Sequence, residues 1–207
     1  MRVFVILFIS ISCTYAECRK GGIACRQVIY SFEAPFKVLP DIDSISINDT
    51  IWLTSAISVQ LKDIMTNQVI DYSGAANLGT DLSYLEFTGG SFSDPGAMPA
   101  ANSFENALIE GIPGKSSYPE RTRDFKFVEV NKMYKLRIGI IPKKKGLFSI
   151  GPGDAGYVYR EKDKCTKASF NLIFRDTDQH LYLYERSRPG YTPSEYEQTH
   201  MYCFKVY

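Results

Sequence analysis

Histidine is nearly absent: His180 and His200 are the only two in 207 residues. Catalytic zinc centres lean on imidazole ligands, so such a small supply speaks against one. Cysteine is sparse and odd in number, at positions 13, 18, 25, 165 and 203, with no C-x-x-C spacing to start a zinc site. No G-x-S-x-G elbow presents a nucleophilic serine. The stretch Gly151-Pro152-Gly153-Asp154-Ala155-Gly156 is glycine-rich but lacks the Gly-Lys-Ser/Thr ending of a phosphate loop, and Pro152 removes an amide such a loop would use. It reads as a tight turn between strands. A surplus of either charge is missing as well. The 24 basic residues fall to 23 if Arg2 is removed, matching the 23 acidic ones. Nucleic acid, which asks for a basic face, is therefore not an expected partner. No apolar run approaches the roughly 20 residues of a membrane-spanning helix, and neither internal repeats nor low-complexity tracts occur.

What is present begins with an export signal. Met1 and Arg2 supply positive charge, Val3 to Ile9 form a short apolar run, and small residues lead to Thr14-Tyr15-Ala16. Cleavage after Ala16 makes residues 1–16 a secretory signal and leaves 17–207 as one β-rich domain. Lipoprotein processing before Cys13 is the rival, with Cys13 as the acylated residue and the lipid as the sole membrane contact. Either cut takes Cys13 out of the disulfide count. Cys18, Cys25, Cys165 and Cys203 remain, and four cysteines permit three pairings. Joining Cys18 to Cys25 and Cys165 to Cys203 keeps each bridge within one end of the chain. Closing the longer loop would stabilise the fold by roughly 4 kcal/mol on the chain-entropy view; four buried free thiols are the other reading.

Strand patterns dominate the remainder. Residues 26–36 read as a first strand stopped by Pro35 and then Pro40. Segments around Thr66-Asn67 and Asn131-Lys132 read as hairpins. Tyr134, Leu136, Ile138 and Ile140 alternate with Lys135, Arg137 and Gly139, giving one core face and one solvent face. Phe170, Leu172 and Phe174 repeat the pattern, and Leu181 and Leu183 continue it beyond an Asp176–Gln179 turn. The long polar region from Gly74 to Arg123 exceeds ordinary loop lengths, so it hides further strands or serves a function. Two helices are expected. One opens at a capping box in Thr192-Pro193-Ser194-Glu195 and reaches about His200; a weaker one starts at Ser103. The sum is an all-β, antiparallel immunoglobulin-like sandwich with one or two short helices.

Three constellations bear on chemistry. Asp176, Asp178 and His180 alternate, so on an extended strand they would share a face and could serve a hydrolase or hold a cation; a polar turn with capping aspartates is the simpler reading. Glu195 and Glu197 near aromatics resemble a glycosidase pair only in composition. Tyr182, Tyr184, Arg186 and Arg188 are the residue types of protein or glycan contact surfaces. With Leu181 and Leu183 facing the core, Tyr182 and Tyr184 would lie outward beside His180; the other reading is that a second sheet covers these tyrosines and makes them core. Asn48-Asp49-Thr50 is a glycosylation sequon that, in a bacterial protein, is simply a turn.

The segments DSISINDTIWL (43–53), KKKGLFSIGPGD (143–154), CTKASFNLIF (165–174) and DTDQHLYLYE (176–185) resemble a group of exported bacterial envelope proteins with an immunoglobulin-like sandwich. The resemblance implies fold and location and brings no activity with it. The antibody-type pattern itself is absent, since Trp52 does not lie between two suitably spaced cysteines. The sequence thus points to an exported, non-catalytic binding or structural protein of the cell envelope. Its expected place is the periplasm, the outer membrane or the exterior. No cofactor is called for, and another envelope protein or a glycan is the expected partner.

Overall fold

The computed structural model describes residues 27–89, 96–187 and 190–207. The signal segment, Cys13, Cys18, Cys25 and Arg188 lie outside the described residues. Strands predominate among the described residues. The first half holds β1 (Val28–Leu39), β2 (Ser44–Ile45), β3 (Ile51–Ser58), β4 (Gln60–Lys62), β5 (Val69–Asp71), β6 (Ala75–Ala76), β7 (Gly79–Phe87), β8 (Ala97–Pro99) and β9 (Phe104–Glu110). There follow β10 (Ile112–Pro113), β11 (Thr122–Lys126), β12 (Val128–Val130), β13 (Met133–Pro142), β14 (Gly146–Pro152), β15 (Ala155–Arg160) and β16 (Asp163–Phe174). Two short helices, α1 (Leu181–Ser187) and α2 (Glu197–His200), precede β17 (Tyr202–Val206).

Among the described residues, one sheet runs β12-β13-β3-β1-β16-β15-β6 with β9 also on β13, and the second runs β10-β11-β7-β14-β17-β2 with β8 on β7. Most neighbours are antiparallel; β1 with β16 and β17 with β2 are parallel. The alternation read in the sequence is realised in space: Tyr134, Leu136, Ile138 and Ile140 of β13 are buried, as are Ile51, Leu53 and Ile57 of β3 opposite. Phe32 and Phe36 from β1, Phe148 from β14, Phe170 from β16 and Phe204 from β17 fill the space between the sheets. This is an all-β, predominantly antiparallel sandwich with two short helices.

Four tyrosines stand wholly inside, and each phenol finds a main-chain or amide partner, as burial of a hydroxyl demands. Tyr72 donates to the Val158 carbonyl at 2.7 Å, and Tyr134 donates to the Tyr72 carbonyl at 2.5 Å while accepting from the Ala75 amide at 3.0 Å. Tyr84 accepts from Asn106 Nδ2 at 2.7 Å, and Tyr202 donates to the Ile42 carbonyl at 2.7 Å. Burial pushes the Tyr72 hydroxyl up to about 12.

Several expectations need correcting. β1 does not stop at Pro35. Its pairing with β16 ends at Phe36 and that with β3 begins at Lys37, so the missing proline amide falls at a change of partner and breaks no continuous ladder. The Leu39–Pro40 peptide, which is cis, follows the strand. The helix expected from Ser103 is a single 3-10 turn, Ala101–Ser103, leading into β9. Pairing with the C-terminal half of β13 overrides local propensity there. Residues 74–123 do hide strands, β6 to β11. Leu181 and Leu183 lie on α1 rather than on a strand.

Candidate binding cleft

The residues nominated by the sequence are dispersed. Asp176 turns outward with φ 53° and pairs with Lys37 at 2.9 Å. Asp178 accepts from the His180 amide at 3.0 Å, the capping role of a polar turn. His180, nearly buried, places Nε2 3.3 Å from Asp41 Oδ1 and packs its ring on Tyr202, centroids 5.3 Å apart. The two aspartates and the imidazole do not converge on one point. No group of three or more histidine, cysteine, aspartate or glutamate side chains among the described residues could hold a metal ion.

The tyrosine–arginine surface is also rearranged. On a helix, neighbours along the face are three or four residues apart, so Tyr182 and Tyr184 part company. Tyr182 stays half-exposed, hydrogen-bonded through its hydroxyl to Asp43, with the Arg186 guanidinium 5.2 Å above its ring. Tyr184 is buried against Phe87 and Tyr191, centroids 4.8 and 5.2 Å away. The expected Cys165–Cys203 bridge is not formed: Cys203 is a buried free thiol. Cys203 points into the small apolar cluster of Phe87, Tyr184 and Met201, and burial raises its thiol far above the ordinary range.

A cleft of about 680 Å³, which the sequence reading missed, lies between β7, β14 and the C-terminal turn. Its floor is the end of β14 and the Gly151-Pro152-Gly153 run. One wall carries Asp81 and Ser83 from β7, a second carries Tyr118, Arg121 and Thr122, and a third carries Tyr191, Tyr196, Glu197 and His200. The glycines are there for space. A Cβ at Gly151 would strike the His200 carbonyl oxygen, and one at Gly153 would strike the Asp81 carboxylate. Ser83 Oγ donates to the Gly151 carbonyl and Thr80 Oγ1 to the Gly153 carbonyl, both at 3.0 Å, fixing the floor to β7.

The C-terminal wall is built by a capping box, two residues later than the sequence suggested. Ser194, not Thr192, is the cap: Ser194 Oγ accepts from the Glu197 amide at 3.2 Å, and Glu197 Oε2 accepts from the Ser194 amide at 2.8 Å. Glu197 also receives the Tyr184 hydroxyl at 3.2 Å and the Tyr191 hydroxyl at 2.5 Å. Burial pushes the Glu197 carboxyl up, but these donors outweigh it and hold the group below its usual value. The same bond with Glu197 drives the Tyr191 hydroxyl up to about 12. Ser194 Oγ lies 2.8 Å from Glu197 Oε2 as a fourth donor, and a carboxylate so surrounded is saturated, which removes it from acid–base work. Reading the box in Ser194-Glu195-Tyr196-Glu197 would have found it, since the sequence carries Ser-x-x-Glu at the right spacing.

His200 is 7% exposed and equally occupied. Its Nδ1 lies 3.0 Å from the Tyr196 carbonyl and 2.8 Å from Thr199 Oγ1, and its Nε2 lies 3.0 Å from Asn171 Oδ1 and 3.5 Å from Asp154 Oδ1. Its ring stacks on Tyr196, centroids 3.8 Å apart and planes 12° from parallel. That stack holds Tyr196 upright with its other face open. Burial, followed by the charges of Asp154 and Asp81, pushes the Tyr196 hydroxyl above its ordinary value. Asp81 itself is raised, first by desolvation within the cleft and then by the charges of Asp124 and Asp154.

An all-β sandwich with an aromatic-rimmed polar cleft is the class that fold and site define. No family model and no curated protein matches the chain. Among solved structures, one chain of a type I cohesin–dockerin complex from Clostridium thermocellum is similar at 9% identity and a TM-score of 0.31, over 68% of this chain and 99% of that one. So distant a likeness carries no functional argument.

Proposed function

We propose that the protein is an exported, non-catalytic binding module of a bacterial cell envelope, and that the cleft takes an oligosaccharide. One observation carries this reading: Tyr118 and Tyr196, 66% and 56% exposed, stand on separate walls of one polar-lined cleft. Two exposed aromatic faces on the walls of one cleft offer a ligand stacking surface from both sides. A sugar ring matches both the stacking faces and the polar lining. Its C–H faces carry slight positive charge and complement the negative face of a phenol ring, while its edge hydroxyls suit exposed polar side chains of the lining such as Arg121 and Asp81. Peptide backbones offer no comparable flat apolar face. His200 and Glu197 are both committed to structural hydrogen bonds, which supports binding over turnover at the C-terminal wall. The short charged-then-apolar N-terminus supports export.

Titration calorimetry against envelope-type oligosaccharides tests the reading. Tyr196→Ala is expected to weaken binding at least tenfold, about 1.4 kcal/mol, without lowering the melting temperature by more than a few degrees. Binding that survives this change, or the release of shortened sugars during incubation, would remove the cleft or the non-catalytic part of the proposal respectively. Intact mass of native membrane and periplasmic fractions reports the cut site: loss of residues 1–16 or acylation at Cys13 supports export, and a retained Met1 overturns it.

A further inference from the structure

His200 is the buried titratable group on which the aromatic wall of the cleft rests. Its ring lies face to face with Tyr196, centroids 3.8 Å apart, and its amide donates to the Tyr196 carbonyl at 2.9 Å. Oxygen surrounds both ring nitrogens. Nδ1 faces the Tyr196 carbonyl at 3.0 Å and Thr199 Oγ1 at 2.8 Å. Nε2 faces Asn171 Oδ1 at 3.0 Å and Asp154 Oδ1 at 3.5 Å. The Thr199 hydroxyl has carbonyls of its own to donate to, those of Glu195 and Tyr196 at 3.3 and 3.1 Å, so it is placed to accept from Nδ1. A neutral imidazole carries one N–H and leaves the lone pair of its other nitrogen pointing at oxygen. The doubly protonated ring donates on both sides.

We infer that His200 is a positioning residue that works as an imidazolium: the charged ring clamps α2 to β16 and sets Tyr196 for the ligand, and loss of its proton slackens both. This rests on the cleft being an oligosaccharide site with Tyr196 as a stacking face, and adds how that face is controlled. Burial by itself disfavours a charged ring. Against it stand the oxygens on both nitrogens, the Asp154 carboxylate among them, and the negative face of the Tyr196 ring, which attracts a cation. The other charged groups near by are occupied or further off. Glu197, on α2 itself, is taken up by Ser194, Tyr184 and Tyr191. Glu33 of β1, opposite Asn171, pairs with Arg175. Asp81 backs onto Gly153 from β7, and Arg121 stands on another wall of the cleft. Among the described residues the ion pair of the His200 ring is with Asp154 alone. A histidine changes charge roughly between pH 5 and 8, so a clamp made by the protonated form holds below neutrality and is lost as pH rises.

Two measurements, each made at pH 5.5 and pH 8 on the wild type and on His200→Gln, test this. Amide hydrogen exchange, expressed as protection over the free chain, follows α2 through the Thr199 and Met201 amides, which donate to the Tyr196 and Glu197 carbonyls. Their protection in the wild type is expected to be about fivefold lower at pH 8, the order of one hydrogen bond, and in His200→Gln to be the same at both. Calorimetry with a neutral N-acetylglucosamine oligomer, whose own charge does not change, is expected to show about fivefold weaker binding at pH 8, with no such difference in His200→Gln. Asn171→Asp sets a carboxylate against Nε2 and is expected to move the fall in protection upward by about one pH unit, a second reading should His200→Gln fail to fold. Wild-type protection or binding that does not change with pH overturns this inference and leaves the oligosaccharide reading standing, and so does a change that persists in His200→Gln. Failure of the oligomer to bind at either pH, with the change in protection present, overturns the oligosaccharide reading and leaves the clamp on α2.

Discussion

At Gly151 the missing side chain is occupied by another part of the molecule. The His200 carbonyl sits where a Cβ would be, so alanine there must push back main chain rather than a flexible side-chain tip. Gly151→Ala is expected to cost about 2 kcal/mol, within the range of overpacking, and to loosen α2 from the floor of the cleft. Gly156, five residues on, has nothing within 4 Å of its would-be Cβ. Gly156→Ala should therefore leave thermal unfolding nearly unchanged, and equal effects of the two changes would contradict this account. Residue identities told only part of this. The glycine-rich run was visible as a loop signal, but its glycines have ordinary negative φ and answer to neighbours some 50 and 70 positions away in sequence. Spacing along one chain does not report on such approaches.

At the scale of the element, local chemistry was legible where the chain talks to its near neighbours. The Asn131-Lys132 turn was read from its residue types, and both residues do adopt positive φ, 52° and 60°, between the paired Val130 and Met133. That is the conformation a two-residue hairpin needs, and lysine occupies it under strain. Lys132→Gly creates the preferred Asn-Gly pair and is expected to stabilise the protein by about 0.5–1 kcal/mol, raising the melting midpoint by roughly 2 °C. Destabilisation would mean that the Lys132 side chain, not its backbone, matters. Residues 181–187 were misread for a physical reason. The alternation of Leu181 and Leu183 with two tyrosines fits period two over so short a span, but His180 enters at φ 49° and turns the chain off the sheet. Once the direction changes, no ladder partner remains and the segment closes its own hydrogen bonds as a helix.

For the whole molecule, composition sufficed to give the class: β-branched and aromatic residues in alternation, with little helix signal, made a two-sheet sandwich. What composition could not give was which strands meet, because pairing depends on register across long separations. Acid unfolding probes that long-range order. Asp163 is held down to about 2, by the Thr166 hydroxyl first and then by Arg160, and Asp63, which ties the β4–β5 turn to the Ser31 amide at 2.8 Å, is lowered as well. A carboxyl lowered on folding contributes stability above its ordinary value and loses that contribution as pH falls through the folded one. Denaturant midpoints should therefore hold steady down to about pH 4 and decline between there and pH 2, with Asp163→Asn flattening part of the decline. A midpoint that rises in that interval would contradict the assignment.

The parallel seam between β1 and β16 sets a timetable. Val28 lies against Thr166 and Phe36 against Phe174, so β1 can meet β3 early but meets this second neighbour only after more than a hundred further residues have been delivered. The sheet that holds both strands is therefore completed only once the last quarter of the chain is in place.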